Sequence, residues 1–306
     1  MKAVKETLSE LRGLELSSYP YFEVQELIRS LGKSKFLGFT LHPGKYLMRV
    51  RYGANYTKKS ELTYLPQYKN TKCQRASTPN STMFYGTIVS NEQDLDEARM
   101  IAACECSPLL RKKQKTCGIE KITYGRWRVT KDINLVVILD ESMYAGVFNN
   151  SLLTELKEAF DGYIKSAPDI EDSCRQISKF FSEEFSKDNI KHDYDYFLSA
   201  IFTEVITNDL GFDGVMYPSV RAGGQLGFNV AIKPKTVDDS LALDMAAEST
   251  LYTKDGKFFN WVDKISKLNA EDYSEITTWE YENYPQLTDD ERLEQLQIKN
   301  FDELEK

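Results

Sequence analysis

Apolar positions recur at helical spacing over residues 2–16, where Val4, Leu8, Leu11 and Leu14 mark one face, and again from Phe22 to Leu31. Gly32 supplies a stop for the second segment. Residues 46–52 (YLMRVRY) read instead as a strand. Alternation sets Leu47, Arg49 and Arg51 on one face and Tyr46, Met48, Val50 and Tyr52 on the other. Met83-Phe84-Tyr85 is a compact aromatic run bounded by turn formers, a short buried strand. A helix follows it, with Asn91 as cap, Glu92, Asp94, Asp96 and Glu97 near the positive end of its dipole, and Met100, Ala103 and Cys104 on its core side. Two β-rich runs come next, 125–129 (GRWRV) and 133–139 (INLVVIL); the second is continuous enough for a strand buried on both faces. From Leu152 to Phe202 the pattern is mostly helical, with breaks near Pro168 and Asn189 and a core stripe of Phe180, Phe181 and Phe185. Residues 215–217 and 228–232 make a hairpin reversing at Gly223-Gly224. Residues 258–265 and 291–297 look helical.

These elements imply an α+β architecture: a mixed, strongly twisted central sheet flanked by helices. The expected division is a helical N-terminal extension at 1–45, a central domain at 46–236 and an acidic, helical C-terminal extension at 237–306. Hydrophobic residues make up 41% of the 306, and 18 Tyr and 16 Phe supply a substantial core. No apolar run reaches the ~18–20 residues of a membrane span. The N-terminus lacks the continuous apolar segment of a signal peptide. Five cysteines at irregular spacing suit reduced thiols in a cytoplasmic protein better than a disulfide framework. Cys73, Cys104, Cys106 and Cys117 include no CxxC pair, so no metal site is expected.

Charge changes the picture by region. A net charge of −8 argues against general nucleic-acid binding. Yet Lys45, Arg49, Arg51, Lys58, Lys59, Lys69, Lys72 and Arg75 lie in one segment against Glu61 alone, whereas residues 237–306 carry eighteen acidic and seven basic side chains. An acidic chain with one basic segment suits a small anionic ligand. Arg49 and Arg51 on one strand face are either solvent-exposed or part of such a site, and the polar residues 53–71 form a loop over it. The short basic run 111–115 reads as a solvated turn.

The candidate chemistry gathers around residues 75–105. Arg75 precedes Ala76, Ser77 and Pro79, Tyr85 follows on the aromatic strand, and Glu105 arrives among Ala, Cys and Pro. If strand and helix pack together, a guanidinium, a phenol and a sheltered carboxylate converge; a core tyrosine with two surface charges fits the same residues. In 212–234 (FDGVMYPSVRAGGQLGFNVAIKP), Ser219 ends one strand and Asn229 begins the next, so a hairpin presents a hydroxyl and a carboxamide to one side. His42 and His192 fall outside both stretches, which leaves a serine–histidine hydrolase little support.

Arg75 before small residues and proline, an FY strand ten residues later, AACE at 102–105, and GFDGVMYPSVR with GGxxGxN together resemble the RES domain family. The resemblance covers roughly 46–234. It implies a fold related to ADP-ribosyltransferases and cleavage of the nicotinamide–ribose bond of NAD by phosphorolysis or hydrolysis, as in toxins of bacterial toxin–antitoxin pairs. It assigns the family arginine to Arg75, the tyrosine to Tyr85, the glutamate to Glu105 and the serine to Ser219. Arg75, with Arg49 or Arg51, would meet the pyrophosphate, and Tyr85 would stack on the cationic ring. Glu105 would stabilise the oxocarbenium-like ribose, and Ser219 and Asn229 would position it. NAD is then substrate rather than cofactor, inorganic phosphate is a possible co-substrate, and an antitoxin, often a helix-turn-helix protein, is the implied partner. The spacing from Tyr85 to Glu105 exceeds the family's, and both extensions lie outside a minimal toxin domain. An ADP-ribosyltransferase acting on a macromolecule and a non-enzymatic binding module remain the alternatives.

Overall fold

The computed structural model describes residues 4–32, 36–89, 95–111, 117–140, 151–219, 227–268 and 277–304. In chain order the regular elements begin with α1 (Val4–Gly13), α2 (Tyr21–Ser30), β1 (Gly38–Leu41), β2 (Tyr46–Tyr52), α3 (Lys59–Leu62) and β3 (Phe84–Val89). There follow α4 (Leu95–Cys106), α5 (Pro108–Arg111), β4 (Gly118–Val129), β5 (Ile133–Val137), α6 (Ser151–Lys165), α7 (Glu171–Phe185) and α8 (Phe197–Asp209). The last are β6 (Gly214–Pro218), β7 (Phe228–Ile232), α9 (Pro234–Ser240), β8 (Leu241–Lys254), β9 (Lys257–Lys267), β10 (Glu282–Asn283) and α10 (Asp289–Leu296). The expected α+β class is what the chain adopts, with mostly antiparallel strands. The Asn91 cap, the Gly223-Gly224 reversal and residues 112–115 of the basic run lie outside the described residues.

Two compact units divide the chain: Met1–His42 with Tyr64–Tyr85 and Lys131–Ser240, and Pro43–Thr63 with Gly86–Thr130 and Leu241–Lys306. In the first unit β5 runs parallel to β6, and the crossover between them carries α6, α7 and α8. β1 pairs antiparallel on the far side of β5, and β7 returns antiparallel along β6. One sheet face, through Val136, Ile138, Val215, Tyr217 and Ala231, shares a buried cluster with α7 and α8, on which α1 and α2 pack in turn. The phenylalanine stripe sits there as its spacing predicts: Phe181 stacks on Phe202 with centroids 3.8 Å apart, and Phe180 and Phe185 are buried. Gly214 is fixed by close approach, because a Cβ there would strike the Ala231 carbonyl.

In the second unit β2 pairs antiparallel with β3 and β4, β4 with β8, β8 with β9, and β9 with β10. β2 keeps the predicted alternation: Met48 and Val50 join Ala98, Ala102 and Ala103 of α4 in a buried cluster. The core side of α4 differs from expectation, since Ala98, Ile101, Ala102 and Ala103 are buried while Met100 and Cys104 are half-exposed.

The acidic C-terminal segment requires the main correction. Residues 258–265 are not helical but lie within β9. The segment supplies the long strands β8 and β9 of the second unit; only 291–296 of the two expected helices is one, inside α10. Both faces of β9 carry apolar contacts. Phe258, Val262 and Ile265 face the α4 cluster, whereas Phe259 and Trp261 join Tyr252, Leu296, Phe301 and Leu304. Ser249 pairs with Val262 and Glu248 with Lys264, leaving Asp263 as the extra residue of a bulge. A bulge moves the apolar positions to i, i+4 and i+7, which is also the helical pattern. The expected boundaries at 45/46 and 236/237 likewise differ from the two units, each of which draws on three stretches of chain.

Candidate functional site

Arg75 sits in a pair of tight turns. Gln74 and Ser77 exchange backbone hydrogen bonds (2.8 and 3.2 Å), and Thr78 and Ser81 do the same (3.0 Å each). Small side chains at 76–78 permit such compact turns, and all three residues are buried. Tyr85, just beyond on β3, locks the first turn: its hydroxyl oxygen accepts from Ala76 N (3.0 Å) and bonds Ser77 Oγ (2.8 Å), which accepts from Met83 N (3.1 Å). Burial pushes the Tyr85 phenol up to about 12 against the opposing effects of Ser77, Ala76 and the Arg75 charge, so it is a neutral hydroxyl at physiological pH.

Arg75 is 8% exposed, and its guanidinium reaches the C-terminal end of α7. Nη1 donates to Phe185 O, Nη2 donates to Lys187 O at 3.0 Å, and the group lies over the Tyr196 ring, 5.2 Å from its centroid. Carbonyls at a helix C-terminus lack intrahelical donors and attract a cation. These bonds use two of five guanidinium N–H groups, and the others have no partner among the described residues.

The β6–β7 hairpin forms as expected. Tyr217 pairs with Asn229 and Pro218 with Phe228, and Ser219 N donates to Gly227 O at 3.0 Å. Asn229 therefore shares a face with Tyr217, and Ser219, two residues on, falls on that face by alternation. Both Ser219 and Asn229 are buried. The Tyr217 ring meets the Phe185 ring at 5.3 Å, so the hairpin face and Arg75 approach the same end of α7. Arg75, Tyr85, Ser219 and Asn229 thus belong to the first unit.

Glu105, Arg49 and Arg51 belong to the second. Glu105 is half-buried in the last turn of α4. Arg49 is buried on β2 opposite Gly125. Arg51 donates to Glu61 O (3.2 Å) and Thr63 O (2.5 Å), and burial lowers its pKa from the ordinary arginine value. Its fork, expected on phosphate, secures the end of α3. Among the described residues no group of three or more His, Cys, Asp and Glu is placed to hold a metal, and no helix is long and apolar enough to cross a membrane.

Sequence reasoning passed over Tyr196, under the guanidinium, and Glu204. Glu204 carries a visible signal: it is the only charged residue in FLSAIFTEVIT, a stretch of α8 that is buried throughout. Compared with protein-family models and with curated proteins, the chain finds no match.

Proposed function

We propose that this chain is an NAD-consuming enzyme that breaks the nicotinamide–ribose bond, transferring the ADP-ribosyl group to phosphate or water, on a fold related to ADP-ribosyltransferases and the RES domain. The observation that supports this most is the first-unit arrangement: Arg75 held beside Tyr85 with guanidinium donors to spare, in the same unit as the face that carries Ser219 and Asn229. A planar fork in a mostly buried setting suits a pyrophosphate oxygen, because charge-assisted bonds strengthen as water is excluded. The aromatic face of Tyr85 suits a cationic nicotinamide. Ser219 and Asn229 supply a hydroxyl and a carboxamide for ribose hydroxyls. By the resemblance alone, Glu105 of the second unit corresponds to the glutamate that stabilises the oxocarbenium-like transition state, a role in which removing the charge costs about a hundredfold or more in kcat. Arg49 and Arg51 are assigned at most an electrostatic part, Arg51 being bonded already to backbone carbonyls. By the same resemblance the cell is a bacterium, the compartment the cytoplasm, and the partner an antitoxin of helix-turn-helix type.

The test is NAD loss by the purified full chain, with and without inorganic phosphate, beside Glu105→Gln and Tyr85→Phe shown to be folded. Phosphate-dependent formation of ADP-ribose 1″-phosphate is the phosphorylase outcome, and free ADP-ribose the hydrolase outcome. Label passing from NAD to a protein or nucleic acid would replace the reading by macromolecular transfer. Binding of NAD without loss, or no interaction at all, would overturn it.

A further inference from the structure

We propose that Glu204 is a positioning residue that ties helix α2 to the turn carrying Arg75, so that the N-terminal helices help aim that arginine. A carboxylate 7% exposed inside an apolar helix needs donors on both oxygens. Glu204 divides its oxygens between two other parts of the unit. Oε1 accepts from the Tyr21 hydroxyl and from Gln25 Nε2 (3.4 Å), one turn apart on α2, and Gln25 also donates to the Tyr21 oxygen (3.2 Å). Oε2 accepts from Thr78 Oγ1 at 2.7 Å.

The Thr78 hydroxyl is aimed by its surroundings. Its oxygen accepts from Asn80 N (3.1 Å), which directs the proton toward Glu204, while Asn70 Nδ2 donates to the Thr78 carbonyl (2.5 Å). Thr78 lies three residues beyond Arg75 and opens the second tight turn. α2 already packs on the core through Val24, Leu27 and Ile28. Such apolar contacts hold a helix in place without fixing the rotation of a neighbouring turn, whereas hydrogen bonds are directional and a fully satisfied buried network specifies one arrangement. The bridge from Tyr21 through Glu204 to Thr78 therefore sets the orientation of residues 74–81, and with it the reach of Arg75. The activity arm of the test rests on the NAD reading; the proposal itself does not.

Amide hydrogen exchange in the full chain decides it, comparing a peptide spanning 72–84 with one from β4 as control. Glu204→Leu should speed exchange at the Ser77 and Ser81 amides at least tenfold with β4 unchanged. Tyr21→Phe, which removes one hydroxyl on α2 and serves if Glu204→Leu does not fold, should speed it at least threefold. Glu204→Gln, which keeps an acceptor for Tyr21 and offers a donor to the Thr78 oxygen, should stay within threefold of wild type. In NAD turnover the leucine variant should raise KM at least tenfold with kcat within threefold, because the turn aims a binding group. Faster turn exchange in a chain that leaves NAD untouched supports this proposal and overturns the NAD reading alone. Wild-type exchange at Ser77 and Ser81 in folded Tyr21→Phe or Glu204→Leu overturns it.

Discussion

Replacing Arg75 by alanine should destabilise the first unit as well as remove a binding group. The side chain is 8% exposed and donates to Phe185 O and Lys187 O while covering Tyr196. Hydrogen bonds from a charged group contribute about 1.5–3 kcal/mol each. The ring contact adds about 0.5–1 kcal/mol. One guanidinium makes all three contacts, so they do not simply add. A loss of about 3 kcal/mol is expected, from a total that for a domain is about 5–15. For a unit of this size that lowers Tm by about 6–12 °C. Arg75→Lys, which keeps the charge but not the fork, should lose about half as much. Trp127, Trp261 and Trp279 all lie in the second unit, so tryptophan emission does not follow the first. Urea denaturation followed by far-UV circular dichroism does, since α1, α2, α6, α7 and α8 all belong to it. A dichroism-detected stability of Arg75→Ala within about 0.5 kcal/mol of wild type would refute the structural role assigned to the arginine. The practical consequence is that lost NAD turnover in Arg75→Ala carries no catalytic meaning by itself.

Two further substitutions test the fold. Gly214→Ala should cost about 3 kcal/mol or more, since its Cβ meets a backbone carbonyl that cannot turn aside. Gly162→Ala, in α6 with nothing within 4 Å of its Cβ, should be neutral or stabilising by up to about 1 kcal/mol, and urea midpoints compare the two. Asp263 lies at the bulge of β9. Burial works to raise its pKa, but hydrogen bonds from Thr250, Lys121 and Arg292 outweigh it and hold the value below the ordinary 3.8. A depressed carboxylate contributes stability that is present above its unfolded pKa and lost as pH falls through the folded one. Asp263→Asn should therefore lower stability near neutral pH and flatten its decline below about pH 4, read by tryptophan emission. An acid limb identical to wild type would remove Asp263 from the account.

What the sequence determined by itself were elements whose pattern is local. The α1 and α2 stripes, the stop at Gly32, alternation in β2, the phenylalanine face of α7 and the β6–β7 hairpin are each set by neighbours within about ten residues. The same locality made Arg75 and Tyr85 legible, because the tight turns of 74–81 bring them together with little intervening chain. Tertiary structure decided the rest. β4 pairs with β8 across more than a hundred residues, and nothing in either strand's periodicity names its partner. A bulge and apolar contacts on both faces give β9 the spacing of a helix. Glu204 is a lone charge in α8 that sequence reasoning passed over, and that its oxygens divide between α2 and the Arg75 turn follows only from packing three distant segments together. Local pattern fixes which face of an element seeks burial; only the folded chain decides what covers it, because burial is non-directional and many partners satisfy it equally.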